Sequence, residues 1–242
     1  MDEEARTVLD NFQLKVLYGF ALILIGVNIS FTSIAGEIDL IPGMRGDLIR
    51  QLDLVREANL ATWYTSALLI VTSMYSYRLA RYHWHVNRRI ALKYGFLAAG
   101  FILLSIDDVI QTHEFIEMYS ASLITDLRNF DGLAVYLGPA FAAVLVIALM
   151  ILISGRPIRE IKRKNRSFLV ISFVCLLIAV VAEIIYINSE CSNIDLCFRI
   201  EIAFEESSEI IAILAFFTFL RREMADQKTQ THERSPHETA AA

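Results

Sequence analysis

The sequence predicts an all-α integral membrane protein, a bundle of six transmembrane helices with both termini in the cytoplasm. Three observations predict it. Hydrophobic residues make up 55% of the 242-residue chain, above the roughly 45–50% of a soluble domain, and they fall in blocks about as long as the ~20 residues that cross a bilayer core. Basic residues collect in alternate connecting segments. Acidic residues enter several of the apolar blocks toward one common end. With only 4 prolines and 10 glycines no long linker is expected, so a single membrane domain is the natural count. The net charge of −5 is mild, and clustered Lys and Arg read as topology rather than as a nucleic-acid surface.

The first block, Leu14 to Ile34, has no charge after Lys15. It follows Asp2, Glu3 and Glu4, where a secretory signal would begin basic and have a shorter apolar core, so it is read as a retained helix behind a short cytoplasmic segment, 1–13. The other blocks are about 60–79, 90–115, 133–154, 167–187 and 200–220. In hydrocarbon every backbone polar group must be satisfied within its own segment, so each block is expected to be helical. Between the first two, Leu48, Ile49, Leu52 and Val55 recur at helical spacing within 45–56, the pattern of an amphipathic helix lying on the outer interface. The tail, 221–242, is polar and ends in alanines, and is expected to be disordered beyond Glu223.

Orientation follows from the connections. Arg78, Arg81, Arg88, Arg89 and Lys93 surround the second; Arg156, Arg159, Lys162, Arg163, Lys164 and Arg166 fill the fourth; Arg221 and Arg222 close the last block. The third and fifth hold only Arg128 and Arg199, and the first has basic residues outweighed by acids. Positive-inside logic puts the basic segments in the cytoplasm. The segment with Cys191 and Cys197 then lies outside, where disulfides persist, and a bond between the two is expected. Cys175 lies in an apolar block and reads as a small buried hydrophobe. His83 and His85 flank Trp84 among arginines and read as an interfacial belt.

The acidic residues come to one layer. At ~1.5 Å rise per residue, Asp107 lies ~22 Å up the third block, Glu183 ~24 Å up the fifth, and Glu205 and Glu206 ~22 Å above the inner end of the sixth. Asp108, His113 and Glu114 continue the third block outward, Glu209 follows in the sixth, and Glu57 begins the second at the outer rim. Asp107, Gln111 and Glu114 share a helix face, as do Glu201, Glu205 and Glu209. Ionised groups are costly in hydrocarbon, so these stripes turn inward or toward water. Packed in one layer, the carboxylates repel one another unless some hold a proton or a cation sits among them. Many oxygens and few nitrogens suit Ca²⁺, Mg²⁺ or Mn²⁺ better than Zn²⁺ or iron, and the Glu-x-x-His pair of a di-iron bundle is not found in these blocks. The expected ligands are Glu57, Asp107, Asp108, His113, Glu114, Glu183, Glu205, Glu206 and Glu209, with Asp107, Asp108 and Glu206 as candidate catalytic groups. Ser105, Ser207 and Ser208 stand near these acids without a paired histidine base, so a nucleophilic triad is poorly supported. The doublets Asp107–Asp108 and Glu205–Glu206 are the one echo between the halves that an inverted repeat would explain.

These residues resemble a known group. Glu57-Ala58-Asn59 with Thr62-Trp63, then Leu104-Ser105-Ile106-Asp107-Asp108 with His113-Glu114, then Glu205-Glu206 with Glu209, are similar to motifs shared by a group of uncharacterised bacterial inner-membrane proteins. Asp108 stands where that group usually has glutamate, and Ala212 where it usually has glycine. The resemblance implies a multi-pass inner-membrane location and a common site that includes Asn59; it names no substrate.

Three functions are compatible with this reading. One is a metal-dependent membrane enzyme open to the extracytoplasmic side, acting on a lipid or amphiphile, with the metal activating water and a spare carboxylate as general base. The second is a cation- or proton-coupled transporter or channel, although the cytoplasmic halves of the blocks carry few polar residues. The third is a membrane partner subunit or sensor. Lipid and a second copy of the chain are the expected partners.

Overall fold

The computed structural model describes residues 13–27, 29–30, 59–110, 163–188 and 195–238, with side chains in the last two stretches described for 165–182 and 202–227. Among the described residues all regular structure is helical. Helix α1 is Gln13–Val27, α2 Leu60–His83, α3 Arg88–Ile110, α4 Arg163–Asn188 and α5 Asp195–Glu238. They correspond to the first, second, third, fifth and sixth apolar blocks. The fourth block, 133–154, the interfacial helix at 45–56 and Cys191 lie outside the described residues, and the Cys197 side chain does too.

Among the described residues, two helices are long and apolar enough to cross a membrane: α3, and the Asn165–Ala182 part of α4. Helix α1 is a shorter apolar helix. Helices α2 and α5 fall outside that description because α2 is diluted by Thr, Ser and Tyr, and α5 by Glu205, Glu206 and Glu209. The diluting residues of α2 are turned inward. Thr65, Ser66, Thr72, Ser73 and Ser76 are all buried, while Trp63, Ile70, Met74 and Tyr77 are exposed. The same inversion runs through α3 and α4, where Phe96, Leu103, Ile110, Val170, Val174 and Leu177 face outward. A water-soluble bundle places these groups the other way round.

Local chemistry fixes the helix ends. Asn59 caps α2, its Oδ1 accepting from the Thr62 backbone N–H at 2.9 Å and from the Thr62 hydroxyl at 3.3 Å. The α2–α3 turn is short: the N–H groups of Val86 and Asn87 donate to the His83 carbonyl at 3.1 and 2.8 Å. Asn87 then caps α3, accepting from the N–H groups of Arg89 and Ile90 at 3.1 and 3.3 Å. An antiparallel hairpin results, and its register is set by serines. Ser66 and Ser105 hydroxyls lie 2.7 Å apart, and each is within hydrogen-bond distance of the other's backbone carbonyl at 3.1 Å, so their two protons are shared among these three contacts. Two turns deeper, the Ser73 hydroxyl donates to the Ala98 carbonyl at 2.7 Å. Small hydroxyl residues let the two backbones approach closely.

Helix α5 packs against both α2 and α4. Toward α1 and α2 the contact is Ala21 and Leu24 with Ala61, Tyr64, Leu68, Ile210, Leu214 and Phe217, tied by Tyr64 donating to the Leu17 carbonyl at 2.9 Å and by the Tyr18–Thr218 hydroxyl pair at 2.9 Å. Toward α4, the Arg222 guanidinium lies 4.3 Å from the Phe168 ring centre, and Asn165 donates to Glu223 at 3.0 Å and Asp226 at 2.9 Å. These contacts correct two expectations. The chain does not lose order at Glu223: α5 runs on to Glu238 over its 44 residues, about 66 Å against a hydrocarbon core of about 30 Å. Residues 221–232 contain no glycine or proline to stop the helix, and Asn165 and His83 hold its next turns. His83, in turn, is not an interfacial residue; it is 2% exposed, stacks on Tyr94 with ring centres 5.8 Å apart and meets the Gln227 amide at 3.1 Å. Its neighbour Trp84 is exposed under the Arg88 guanidinium, as an interfacial residue would be.

Candidate functional site

The start of α2, the end of α3 and the first half of α5 bring four of the expected acidic residues, Asp108, Glu205, Glu206 and Glu209, toward one another. The serine register places Asp108 beside Trp63 of α2, one turn beyond Ser105. Helix α5 runs parallel to α2, and the His83–Gln227 contact sets its height. Carried outward by the same number of residues, that height puts Glu206 level with Thr62 and Glu209 level with Thr65. Glu206 is therefore within electrostatic reach of Asp108 across the α3–α5 interface, and of Glu205 and Glu209 on its own helix. All four side chains are partly buried. Asp107, one position before Asp108, points about 100° away around the helix.

The remaining predicted residues divide. Glu57, His113 and Glu114 lie outside the described residues, as does the Glu183 side chain, although its backbone belongs to α4. Among the described residues, no three His, Cys, Asp or Glu side chains converge closely enough to hold a metal ion between them. Two motif residues have structural work: Asn59, 1% exposed, and Thr62 form the α2 cap described above. Ser105 is engaged with Ser66 on both its hydroxyl and its carbonyl, which removes it as a free nucleophile. Ser208 donates to the Phe204 carbonyl at 2.7 Å.

Sequence reasoning weighed Ser207 only as a nucleophile without a base and did not single out Thr65. Thr65 is 3% exposed, and the buried hydroxyl oxygens of Thr65 and Ser207 meet no hydrogen-bond partner among the described residues. Nothing in periodicity marks Thr65 among the many Ser and Thr of α2. The layer thus combines carboxylates with neutral hydroxyls, all hard oxygen donors, on three helices.

Beneath the layer the bundle is apolar. Leu69, Leu79, Leu97, Phe101, Phe216, Phe219 and Leu220 form one buried cluster, with the Phe101 and Phe216 ring centres 5.3 Å apart. The hydroxyls at this depth are satisfied by backbone: Thr72 donates to Leu68 at 2.7 Å, Ser76 to Thr72 at 3.0 Å, and Thr218 to Leu214 at 2.8 Å. Among the described residues, buried amide, imidazole and carboxyl side chains reappear at the far end, with His83, Asn165, Glu223 and Gln227.

Fold and site together define an all-α bundle with membrane-compatible helices, apolar on its outside and carrying a polar, acid-rich layer at one end. The chain belongs to the family described as Domain of unknown function (DUF8692), whose model matches residues 16–222. No curated protein and no solved structure matches it.

Proposed function

We propose that this chain is a six-helix, multi-pass inner-membrane protein whose carboxylate layer faces the extracytoplasmic side and binds a divalent cation, serving as the centre of a metal-dependent enzyme that acts on a lipid or amphiphile. The observation that carries the proposal is the approach of Asp108 on α3 to Glu206 on α5, with Glu205 and Glu209 beside it. Four carboxyl groups in a bundle whose outer surface is apolar repel one another strongly, and a divalent cation relieves that repulsion while using the oxygen donors present. Further ligands would come from Glu57, His113, Glu114 and Glu183, which the sequence assigns to the same depth. Bound there, the cation would polarise a substrate bond and lower the cost of generating hydroxide from water. Glu209 or Glu205 would accept a proton as general base.

The apolar cluster beneath the layer weighs against a transporter. The Phe101–Phe216 pair and the Leu69, Leu79 and Leu220 side chains separate the acidic layer from the polar groups at the other end. Every hydroxyl named at that depth donates its one proton to a backbone carbonyl, which commits that proton to the helix rather than to a relay. Such a layer fits a site open to one side only.

Metal analysis and calorimetric titration of the purified protein with Ca²⁺, Mg²⁺ and Mn²⁺ test the proposal. The expected result is at least one bound cation in the parent and its loss in Asp108→Asn and Glu206→Gln. A parent that binds none of the three overturns it.

A further inference from the structure

Hydroxyls buried in these helices mostly find a carbonyl. Ser66, Ser73 and Ser105 reach carbonyls across the α2–α3 hairpin, and Thr72, Ser76, Ser208 and Thr218 each donate to the carbonyl four residues earlier. That bond is open to any Ser or Thr in a helix and is the cheapest way to bury a hydroxyl. Thr65 and Ser207 do not make it, nor any other hydrogen bond among the described residues. A hydroxyl buried without a partner is destabilising, so two such groups on two different helices need an explanation.

Their positions supply one. Thr65 lies one turn outward of Leu69, which shares the buried cluster of Phe101 and Phe216. One turn outward of Phe101 is Ser105, and Glu209 lies two turns outward of Phe216. Thr65 therefore points between α3 and α5, just under the place where Asp108 approaches Glu206. Ser207 is flanked in sequence by Glu206 and Ser208, at the same height. Both unused hydroxyls belong to the one layer in which carboxylates gather, and none of the back-bonded ones except Ser208 does.

We infer that Thr65 and Ser207 are neutral oxygen ligands of the cation held by this layer, either directly or through one bound water. The inference rests on the divalent-cation reading above and adds to it the ligands that the carboxylates alone do not supply. Three acid or histidine side chains do not converge among the described residues, and a hard cation completes its shell with hydroxyl, carbonyl and water oxygens. In this arrangement the two hydroxyls are left off their own backbone because they point at the ion.

The test is calorimetric titration of the full chain with Ca²⁺, Mg²⁺ and Mn²⁺ in detergent, together with thermal unfolding without added cation. Thr65→Val keeps shape and removes the oxygen; Thr65→Ser keeps the oxygen. The expected results are binding about tenfold weaker or more in Thr65→Val and Ser207→Ala, near-parent binding in Thr65→Ser, and a cation-free melting temperature for Thr65→Val no lower than the parent's. Parent-like binding in both Thr65→Val and Ser207→Ala overturns this inference while leaving the cation site standing. A Thr65→Val protein that unfolds earlier or fails to fold without cation also overturns it for Thr65, because the hydroxyl would then serve the bundle itself, and Ser207→Ala decides the remainder. A parent that binds no cation overturns the underlying reading.

Discussion

Replacing Ser105 separates two roles that its geometry combines. Its hydroxyl lies 2.7 Å from that of Ser66 and 3.1 Å from the Ser66 carbonyl, while the Ser66 hydroxyl also reaches the Ser105 carbonyl at 3.1 Å. Ser105→Ala removes one hydroxyl but leaves the Ser66 hydroxyl its bond to the carbonyl at position 105, so no buried donor is orphaned. Interhelical hydrogen bonds of this kind average about 0.6 kcal/mol and reach about 1.7, so the expected loss is about 0.5–1 kcal/mol. Ser105→Leu is a different perturbation. Residues 66 and 105 are 5% and 4% exposed, and a branched side chain there must push α2 and α3 apart. Overpacking costs about 1–3 kcal/mol in addition to the lost hydrogen bonds, so a total of at least about 2 kcal/mol is expected. The displacement also moves Asp108, one turn away, so Ser105→Leu should lose cation binding that Ser105→Ala keeps. Reversible unfolding in mixed micelles, followed by helical circular dichroism, measures the first difference, and calorimetry the second. Alanine proving as damaging as leucine would refute the reasoning, since the hydroxyl rather than the small volume would then hold the register.

Asn165→Leu deprives Glu223, 6% exposed, and Asp226 of their shared amide donor; hydrogen bonds to charged groups contribute about 1.5–3 kcal/mol each, so the loss should lower unfolding stability by about 2–4 kcal/mol and speed proteolysis of α5 beyond Asp226. Tyr64→Phe removes the bond to the Leu17 carbonyl and should destabilise by about 1 kcal/mol in the same micelle assay. Reconstituted in liposomes, the parent should pass neither protons nor divalent cations, as read by an entrapped pH or metal-sensitive dye; flux above that of empty vesicles would favour a transporter and count against the sealed layer of Phe101 and Phe216.

Several elements were legible before any coordinates. The starts of α2 and α3 fall within two residues of the apolar blocks, because a long apolar run must be helical wherever it leaves water. Depth along a helix is only residue count times rise, and that sum puts Asp108, Glu205, Glu206 and Glu209 near one level, where Glu206 lies within electrostatic reach of the other three. Facing was less legible. Spacing grouped Asp107 with Glu114, whereas Asp108 is the α3 carboxyl within electrostatic reach of Glu206. The reason is that a helix's rotation is set by its neighbours, here by Ser66 and Ser73 on α2, and by nothing inside α3. Asn59, which the resemblance assigns to the common site, also caps α2 through Thr62, a role that shows only in where the Asn59 Oδ1 points.

The α5 extension was misread for a related reason. Composition describes the average behaviour of a polar segment in water, but the turn after Leu220 is held by partners far away in sequence, Asn165 and His83. The sequence by itself determined that the described segments are helical and where the apolar blocks lie, since both depend on local periodicity and on the cost of exposing backbone in hydrocarbon. Tertiary structure alone decided which face of α3 is turned toward α5, which hydroxyls are engaged and, among the described residues, that Thr65 and Ser207 are not, and that Leu69, Phe101 and Phe216 pack in one apolar cluster. Those facts are set by the rotation and register of packed helices, which a single helix's sequence does not contain.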